Sequence, residues 1–269
     1  MSTETPSDRK DDFTDQTALV TGGGRGIGQG ICLELADRGA DIVVADLDAD
    51  EIAETESMVT ERGQEALAVQ TDVTDEANVE STVEQALDRF GSIEILVNNA
   101  GIAGPTAPVE EVGLEEWDQT LDVNLRGPYL MCREVVPAMK AAEYGRIVNI
   151  SSIAGKRPLL HRTPYAASKM GLIGFTRTLA IEVGDHDINV NAVCPGPVMG
   201  PRIDRVYEKQ AEARDISYEE VKAEDEAETA RGEIMDRSDI ARMVATLCSA
   251  DTTKVTGQDI NVSAGMVMY

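Results

Sequence analysis

The chain has 269 residues, of which 49 are Asp or Glu and 24 are Lys or Arg, so its formal net charge is −25. A hydrophobic fraction of 42% is large enough for a packed core, which argues against a chain that is disordered throughout. A surface this negative repels polyphosphates and anionic lipids, and it disfavours nucleic acid and membranes as partners.

The beginning of the chain lacks the basic start and apolar stretch of a signal peptide, and no later segment is long and apolar enough for a transmembrane helix. Residues 1–15 are polar and mostly acidic, and we expect them to form a flexible leader. The four cysteines are far apart in the sequence, so they predict neither disulfides nor a zinc site but buried small side chains in a reduced, cytoplasmic protein. They are Cys32, Cys132, Cys194 and Cys248.

Short apolar runs alternate with amphipathic segments along the rest of the chain. Strands are predicted at 17–21, 41–45, 66–70, 93–97, 146–150, 188–192 and 258–262. Helices are predicted at 26–38, 49–62, 76–89, 115–142, 163–183 and 238–250. Because the strands lack strict polar alternation, both faces of the sheet are expected to be covered. The pattern predicts a single doubly wound α/β domain over residues 16–269, with a parallel sheet of about seven strands.

One acidic segment interrupts this alternation. Residues 208–233 contain ten acidic and four basic residues and few large apolar ones. We expect one or two exposed helices there, over the carboxyl edge of the sheet. Two interpretations stay open: a solvated insertion, or a substrate lid near 200–233.

A glycine cluster at 21–28 joins the first strand to the first helix, which is the setting of a dinucleotide-binding turn. Glycines let the backbone approach a pyrophosphate, whose charge then faces the helix N-terminus. Asp46 ends the second strand, where a carboxylate accepts hydrogen bonds from the adenosine ribose and repels a 2′-phosphate. This favours NAD, although Arg25 beside the turn is able to hold that phosphate and leaves NADP as the less favoured cofactor.

A Tyr-x-x-x-Lys sequence opens the helix after the fifth strand. The spacing of four places the Tyr165 phenol and the Lys169 ammonium on one helix face, where the cation favours the phenolate. Ser151 and Ser152 follow the fifth strand and offer a hydroxyl at the same edge of the sheet.

Taken together, these motifs resemble those of the short-chain dehydrogenase/reductase family over nearly the whole chain, roughly from residue 16 to residue 268. The matches, in the family's order, are the turn at 21–28, Asp46, Asp72-Val73, Asn98-Asn99-Ala100-Gly101, Asn124, Ser152, Tyr165 with Lys169, and Pro195-Gly196. The resemblance implies a three-layer Rossmann fold and hydride transfer between a nicotinamide cofactor and an alcohol or ketone.

The resemblance also implies a role for each catalytic residue. Tyr165 would act as the general base, and Ser152 would hydrogen-bond the substrate oxygen. Lys169 would hold the nicotinamide ribose and lower the pKa of the tyrosine, and Asn124 would anchor a water that links the lysine to solvent. Ser152 is preferred to Ser151 because the family's usual spacing of about thirteen residues to the tyrosine fits only Ser152.

By the same carry-over, the cofactor would contact the glycine turn and the ends of the following strands. The expected residues are Gly22, Arg25, Gly26, Ile27, Gly28, Asp46, Leu47, Asp72, Val73, Asn98, Ala100, Gly101, Tyr165, Lys169, Pro195 and Val198. One position departs from the family, since Gly200 stands where a threonine is common. This puts the contact that the threonine would make in doubt.

The loops expected around the substrate contain several of the chain's few basic residues. They are Lys156, Arg157, His161, Arg162, Arg202 and Arg205. A pocket with cations and few aromatics suits a sugar, a sugar acid or a keto-deoxy sugar acid, with Ser152, Tyr165, Arg162 and Arg202 as substrate-binding candidates. The alternative is that these bases pair with the surplus acids. No metal site is predicted, because neither His161 nor His186 has a second ligand at metal spacing.

Three functions therefore stay open: an NAD-dependent dehydrogenase of a small polar alcohol, an NADPH-dependent 3-oxoacyl thioester reductase, and a nucleotide-sensing member without turnover. Family members are usually homotetramers, and the apolar segment 263–269 is suited to an interface. No sequence argument determines the number of subunits.

We do not expect the net negative charge of the chain to prevent cofactor binding, since phosphates are held by local amides and cations. We expect the acids on the outer helix faces and in residues 208–233. Lysine is scarce, at seven residues against seventeen arginines. These features predict a halophilic source with a salt-accumulating cytoplasm, where molar salt shortens the Debye length to ~3 Å.

Overall fold

The computed structural model describes residues 12–269, apart from the side chains of Pro201, Arg202, Lys209 and Ala213. Its strands form one parallel seven-stranded sheet in the order β3-β2-β1-β4-β5-β6-β7. They are β1 (Thr17–Thr21), β2 (Asp41–Asp46), β3 (Ala66–Gln70), β4 (Ile95–Asn98), β5 (Gly145–Ile150), β6 (Ile188–Pro195) and β7 (Asp259–Val262). The predicted doubly wound Rossmann-type α/β fold is confirmed.

Helices cover both faces of the sheet. They are α1 (Gly26–Asp37), α2 (Ala49–Thr60), α3 (Glu76–Phe90), α4 (Leu114–Leu121), α5 (Gly127–Ala142), α6 (Thr163–Val183), α7 (Pro201–Arg214), α8 (Tyr218–Glu228) and α9 (Arg237–Cys248). Neighbouring residues of β1 show the two-sided burial, since Val20 packs in the core layer beneath α1 and α9 while Leu19 packs beneath α3, α5 and α6. This explains why the strands read as continuous apolar runs.

The helical region predicted at 115–142 is divided in two. A π-helical turn, Asp122–Arg126, separates α4 from α5 and contains the fully buried Asn124. The Asn124 side chain exchanges hydrogen bonds with the backbone of Ile102, whose N–H donates to Oδ1 (2.8 Å) and whose carbonyl accepts from Nδ2 (3.0 Å). The wider turn thus presents a polar side chain to the loop after β4, and such turns are frequent at functional sites.

Two strands differ from their predicted limits by more than one residue at one end. β4 begins at Ile95, because Ile93 is buried without joining the ladder. β6 continues to Pro195, which pairs with Val262 of β7. The longer β6 brings Pro195, one of the expected cofactor contacts, to the edge of the sheet.

The predicted leader, residues 1–15, extends too far toward the C-terminus. Residues 1–11 lie outside the described part, but Phe13 is fully buried and its N–H donates to Arg38 O. Burial of an aromatic ring removes a large apolar area from water, so the ordered domain begins before residue 16.

The acidic segment forms parts of α7 and α8, as expected, but it is not wholly exposed. Val221 of this segment is buried with Tyr207, which lies one residue before the segment, in a small core between α7 and α8. These two helices are called the α7–α8 hairpin below. The Tyr207 hydroxyl donates to Asp225 (2.7 Å), and the Tyr218 hydroxyl donates to Asp204 (2.7 Å).

All four cysteines are free and buried, and burial raises the pKa of each thiol, for example to about 12 for Cys132. Across residues 12–269, no helix is long and apolar enough to span a membrane. The same part of the chain contains no group of three His, Cys, Asp or Glu residues positioned for a metal ion.

Candidate active site

The glycine turn lies between β1 and α1 with its backbone closely packed. A Cβ on Gly28 would collide with the carbonyl oxygen of Gly22 and would lie 2.5 Å from Asn99 Nδ2. Only glycine fits there, which leaves the backbone free to face a ligand at the N-terminus of α1.

Asn99 holds this turn against the end of β4. Its Nδ2 donates to the carbonyl oxygens of Thr21 (3.0 Å) and Gly22 (2.9 Å). Thr21 Oγ1 in turn accepts from the N–H groups of Asn99 and Ala100, each at 3.1 Å. The sequence motif contains Asn99 but indicates no role for it, because its hydrogen-bond partners become apparent only when β1 and β4 lie side by side.

Asp46 lies at the carboxyl end of β2, directly beside the turn. Its Oδ2 accepts from the Gly24 N–H (3.1 Å) and its Oδ1 from the Leu47 N–H (2.7 Å). Leu47 is exposed. Arg25, the other residue considered for cofactor choice, donates from Nη1 to Glu51 Oε1 at 2.9 Å.

The next two expected contacts follow β3 and β4. Asp72 Oδ1 accepts from the N–H (2.9 Å) and hydroxyl (2.7 Å) of Thr74, and Val73 is buried beneath Gly127 of α5. The Asn98 side chain faces the protein interior, where Nδ2 donates to Asn149 Oδ1 (2.9 Å). A cofactor contact by Asn98 is therefore left to its backbone.

Tyr165 and Lys169 lie on consecutive turns at the start of α6, and both are buried. Lys169 Nζ is 5.9 Å from the centroid of the Tyr165 ring and donates to the Ile150 carbonyl oxygen at 2.8 Å. The Arg162 guanidinium carbon is 5.0 Å from the same centroid. Two cations thus lie near one phenol ring, and nearby positive charge stabilises a phenolate.

The two serines after β5 have different partners. Ser151 Oγ donates to the Lys169 carbonyl oxygen (2.8 Å), whereas Ser152 Oγ accepts from the Ala154 N–H (3.1 Å). The hydrogen bond from Ala154 uses a lone pair of the Ser152 hydroxyl and not its hydrogen. This arrangement favours Ser152 as the donor to a substrate oxygen.

Gly101 joins the nucleotide end to the catalytic end. A Cβ at this position would lie 3.2 Å from Asn124 Oδ1 and 3.4 Å from Lys169 Nζ. Asn124 Nδ2 also donates to Ser168 Oγ (3.1 Å), one residue before the lysine. The structure therefore places Gly101, Asn124 and Lys169 next to one another, with Ala100 adjacent in the chain.

Three of the six basic residues proposed for a cationic pocket have partners within the protein. Lys156 Nζ lies 2.7 Å from Asp259 Oδ2, and Arg157 Nη2 lies 2.8 Å from Glu228 Oε2. Arg162 Nη2 donates to the Ala103 carbonyl oxygen (2.8 Å). The Arg202 side chain lies outside the described part of the structure. For Lys156 and Arg157, pairing with surplus acids is the interpretation that the geometry supports.

The segment after β6 follows the sheet edge toward α7. The Gly196 N–H donates to the Val262 carbonyl oxygen (2.9 Å), and Val198 forms a parallel bridge with Met235. Gly200 is the N-cap residue of α7, and no side chain caps the helix there. The missing threonine therefore also removes a side chain that is able to cap a helix.

The residues present suit a nicotinamide dinucleotide. Close backbone approach at Gly28, carboxylate acceptors at Asp46 and a buried ammonium at Lys169 lie along one edge of the sheet. These are the groups that a pyrophosphate, a ribose diol and a second ribose respectively require.

A family model described as short chain dehydrogenase matches residues 16–211. The chain belongs to the short-chain dehydrogenase/reductase family, as its motifs predict. Granaticin polyketide synthase putative ketoacyl reductase 1 of Streptomyces violaceoruber is 37% identical over 254 residues, which cover 94% of this chain and 93% of that protein.

Two solved structures are similar over nearly their whole length. NAD+-bound xylitol dehydrogenase has a TM-score of 0.90 at 30% identity and covers 95% of this chain and 100% of that one. A variant of actinorhodin polyketide ketoreductase with NADPH has a TM-score of 0.91 at 34% identity and covers 99% and 100%. The protein is thus an NAD(P)-dependent oxidoreductase that acts on CH–OH or keto groups.

Proposed function

We propose that the protein transfers a hydride between NAD and the secondary alcohol or ketone of a small polar substrate, such as a sugar, a sugar acid or a keto-deoxy sugar acid. The observation that carries the chemistry is the position of the Tyr165 ring near Arg162 and Lys169, with Lys169 bonded to the end of the strand that leads into Ser152. The observation that carries the cofactor preference is the Asp46 carboxylate against the glycine turn.

The bound nicotinamide supplies the hydride acceptor or donor. In the oxidation direction, the Ser152 hydroxyl orients the substrate oxygen by a hydrogen bond. Tyr165, as phenolate, accepts the proton of that oxygen while the hydride leaves the carbinol carbon. Lys169 stabilises the phenolate, and Asn124 holds the water that returns the proton to solvent. In the reduction direction the same groups act in reverse, with Tyr165 as the acid.

A second function rests on the similarity to polyketide ketoacyl reductases, whose sequence and structure match this chain at 37% and 34% identity. Under this alternative the protein is an NADPH-dependent reductase of 3-oxoacyl thioesters. The paired state of Lys156 and Arg157 favours it, since it removes two of the cations expected to bind a sugar acid.

A substrate screen discriminates between the two functions. Polyols, aldoses and sugar acids are tested with NAD+ and NADP+, and acetoacetyl-CoA with NADH and NADPH, at low and at molar KCl. Turnover of polyols or sugar acids with NAD+ supports the first function. Turnover confined to the thioester with NADPH contradicts it and supports the second.

We further propose that the α7–α8 hairpin within residues 200–233 is a substrate lid on a single catalytic domain. Its support is the ion pair between Glu228 at the end of α8 and Arg157 in the loop after Ser152. Substitution of Arg157 by Ala is expected to raise KM more than it lowers kcat, and an unchanged KM would argue for a plain insertion.

A homo-oligomer, most simply a tetramer, is part of the same proposal. The face of α4, α5 and α6 contains an apolar groove formed by Leu121, Leu125, Tyr129 and Phe175, and Met268 and Tyr269 are exposed at the C-terminal end. Light scattering at molar KCl measures the number of subunits, and a monomer would contradict the proposal. A cytoplasmic location in a salt-accumulating source is proposed on composition, and fractionation of the source cells tests it.

A further inference from the structure

Arg25 and Glu51 form an ion pair at the mouth of the glycine turn. Arg25 is the N-cap residue of α1, and Glu51 lies in the first turn of α2. The pair joins Arg25 Nη1 to Glu51 Oε1 at 2.9 Å, with the arginine side chain 71% and the glutamate side chain 27% exposed. The guanidinium beside the turn therefore faces a carboxylate of the protein.

Glu51 also lies close to the carboxylate of Asp46. A Cβ on Gly24 would be 2.8 Å from Glu51 Cβ and 3.2 Å from Asp46 Oδ2, so the side chains of both acids border Gly24. Thr55 Oγ1 of the same helix donates to the Gly24 carbonyl oxygen (3.0 Å), which ties α2 to the turn. The position of Glu51 is thereby held relative to the expected ribose site.

The N-terminus of α2 does not offer its amides to an anion. Asp48 caps it and accepts from the N–H groups of Asp50 (3.1 Å) and Glu51 (3.2 Å). A helix start that would otherwise attract a phosphate is occupied by a carboxylate of the chain.

We propose that Glu51 is a specificity-determining residue that disfavours binding of a 2′-phosphate: it pairs with Arg25 and adds a second negative side chain near Asp46. This inference rests on the proposed use of NAD. An exposed ion pair is weak, so this bond alone does not prevent Arg25 from turning to a phosphate. The larger effect is electrostatic repulsion. Once Arg25 pairs with the phosphate, Glu51 is left as an unpaired negative charge next to a dianion.

The test is equilibrium binding of NAD+ and of NADP+ by calorimetry, without substrate. Glu51→Gln keeps the shape and an acceptor for Arg25 but removes the charge. We expect it to shift the NADP+/NAD+ affinity ratio toward NADP+ by about tenfold at low salt, and less at molar KCl, where screening weakens the repulsion. In the background of Arg25→Ala, Glu51→Gln is still expected to shift the ratio, but less, because Glu51 no longer competes with the phosphate for the guanidinium and only the repulsion is left.

The matched control is Glu61→Gln, which makes the same charge change on an exposed glutamate just after the C-terminal end of α2. Ten residues of helix place it about 15 Å away along the axis, beyond a Debye length at physiological salt. A shift for Glu51→Gln no larger than for Glu61→Gln would overturn the role of Glu51. A wild-type preference for NADP+ would instead overturn the proposed cofactor, whatever the size of that shift.

Discussion

Lys169 Nζ donates a 2.8 Å hydrogen bond to the carbonyl oxygen of Ile150, the last residue of β5. The ammonium of α6 is thereby attached to the strand that leads into Ser152. The proposed base Tyr165 and Lys169 thus lie at the start of one helix, and the proposed serine, Ser152, follows the end of the strand to which that helix is bonded. The first two predictions test the roles that this geometry supports.

Substitution of Tyr165 by Phe removes the hydroxyl and keeps an aromatic ring near Arg162 and Lys169. We expect kcat to fall by about 10²–10⁴-fold, the usual contribution of a general acid or base. Calorimetry is expected to show unchanged NAD+ binding within about a factor of three, because the ring still fills its place. Tyr129→Phe, on the exposed face of α5, is the control and should retain full activity. Turnover by Tyr165→Phe close to wild type would exclude this tyrosine as the base.

Ser151→Ala and Ser152→Ala separate a structural hydroxyl from a catalytic one. Ser151 loses its bond to the Lys169 carbonyl, so we expect a loss of about 1 kcal/mol in the free energy of unfolding and a modest change in kcat. Ser152→Ala is expected to lower kcat/KM by about 10²-fold, the order seen when one donor to a developing charge is removed. Urea unfolding and steady-state kinetics on both variants give the comparison. The opposite pattern would show that Ser151 is the catalytic serine.

Asp259 anchors the loop after Ser152 to the start of β7. Burial disfavours the charge of this carboxylate, but the hydrogen bonds from Lys156 and Arg177 outweigh it and lower the pKa of Asp259 below its ordinary value. A lowered pKa in the folded state means that the carboxylate stabilises the protein above its unfolded pKa of about 3.9, and that this is lost as pH falls through the folded value.

Asp259→Asn is therefore expected to lower the free energy of unfolding by about 1–3 kcal/mol near neutral pH. The difference from wild type should begin to shrink as the pH falls below about 4, the unfolded pKa, and should be lost as the pH falls through the lower pKa of folded Asp259. Urea unfolding at several pH values measures both. Asp185→Asn, at an exposed position, is the control and should have little effect. A destabilisation independent of pH would show that the carboxylate charge is not its cause.

Salt acts on this chain in two opposing ways. It screens the exposed ion pairs, each worth about 0–1 kcal/mol, and it screens the repulsion within a chain of net charge −25. Because repulsion involves the whole surplus of acids, we expect it to dominate, and the thermal midpoint should rise with KCl up to the molar range. Calorimetric scans measure this, with sucrose as a control for general exclusion from the surface. Maximal stability in dilute buffer would contradict the halophilic interpretation.

The sequence was sufficient for the sheet and for the order of its motifs. Apolar runs ending in Asp46, Asn98 and Ser151 were enough to predict which residues meet at the carboxyl edge, because parallel strands all end there. Long-range pairs between charged side chains were not predictable. Lys156 bonds to Asp259, 103 positions away, and the two lie on neighbouring parts of the fold only once β6 and β7 are paired.

The π-helical turn at Asp122–Arg126 was also missed, since one extra residue per turn leaves no periodic signal in a continuous helical pattern. Phe13 was assigned to the leader because its neighbours are polar, yet a single aromatic ring was enough to bind that stretch to the core. In both cases the deciding interaction is tertiary, and local composition does not contain it.

The α7–α8 hairpin carries its own hydrophobic centre. The Tyr207 and Tyr218 rings meet edge to face at 5.7 Å, and each hydroxyl is satisfied by an aspartate of the same hairpin. The contacts that hold α7 against α8 are thus supplied largely by the two helices themselves. Under the proposed lid function, a chimera that exchanges residues 200–233 is expected to change the substrate preference and to leave the binding of NAD+ unaltered.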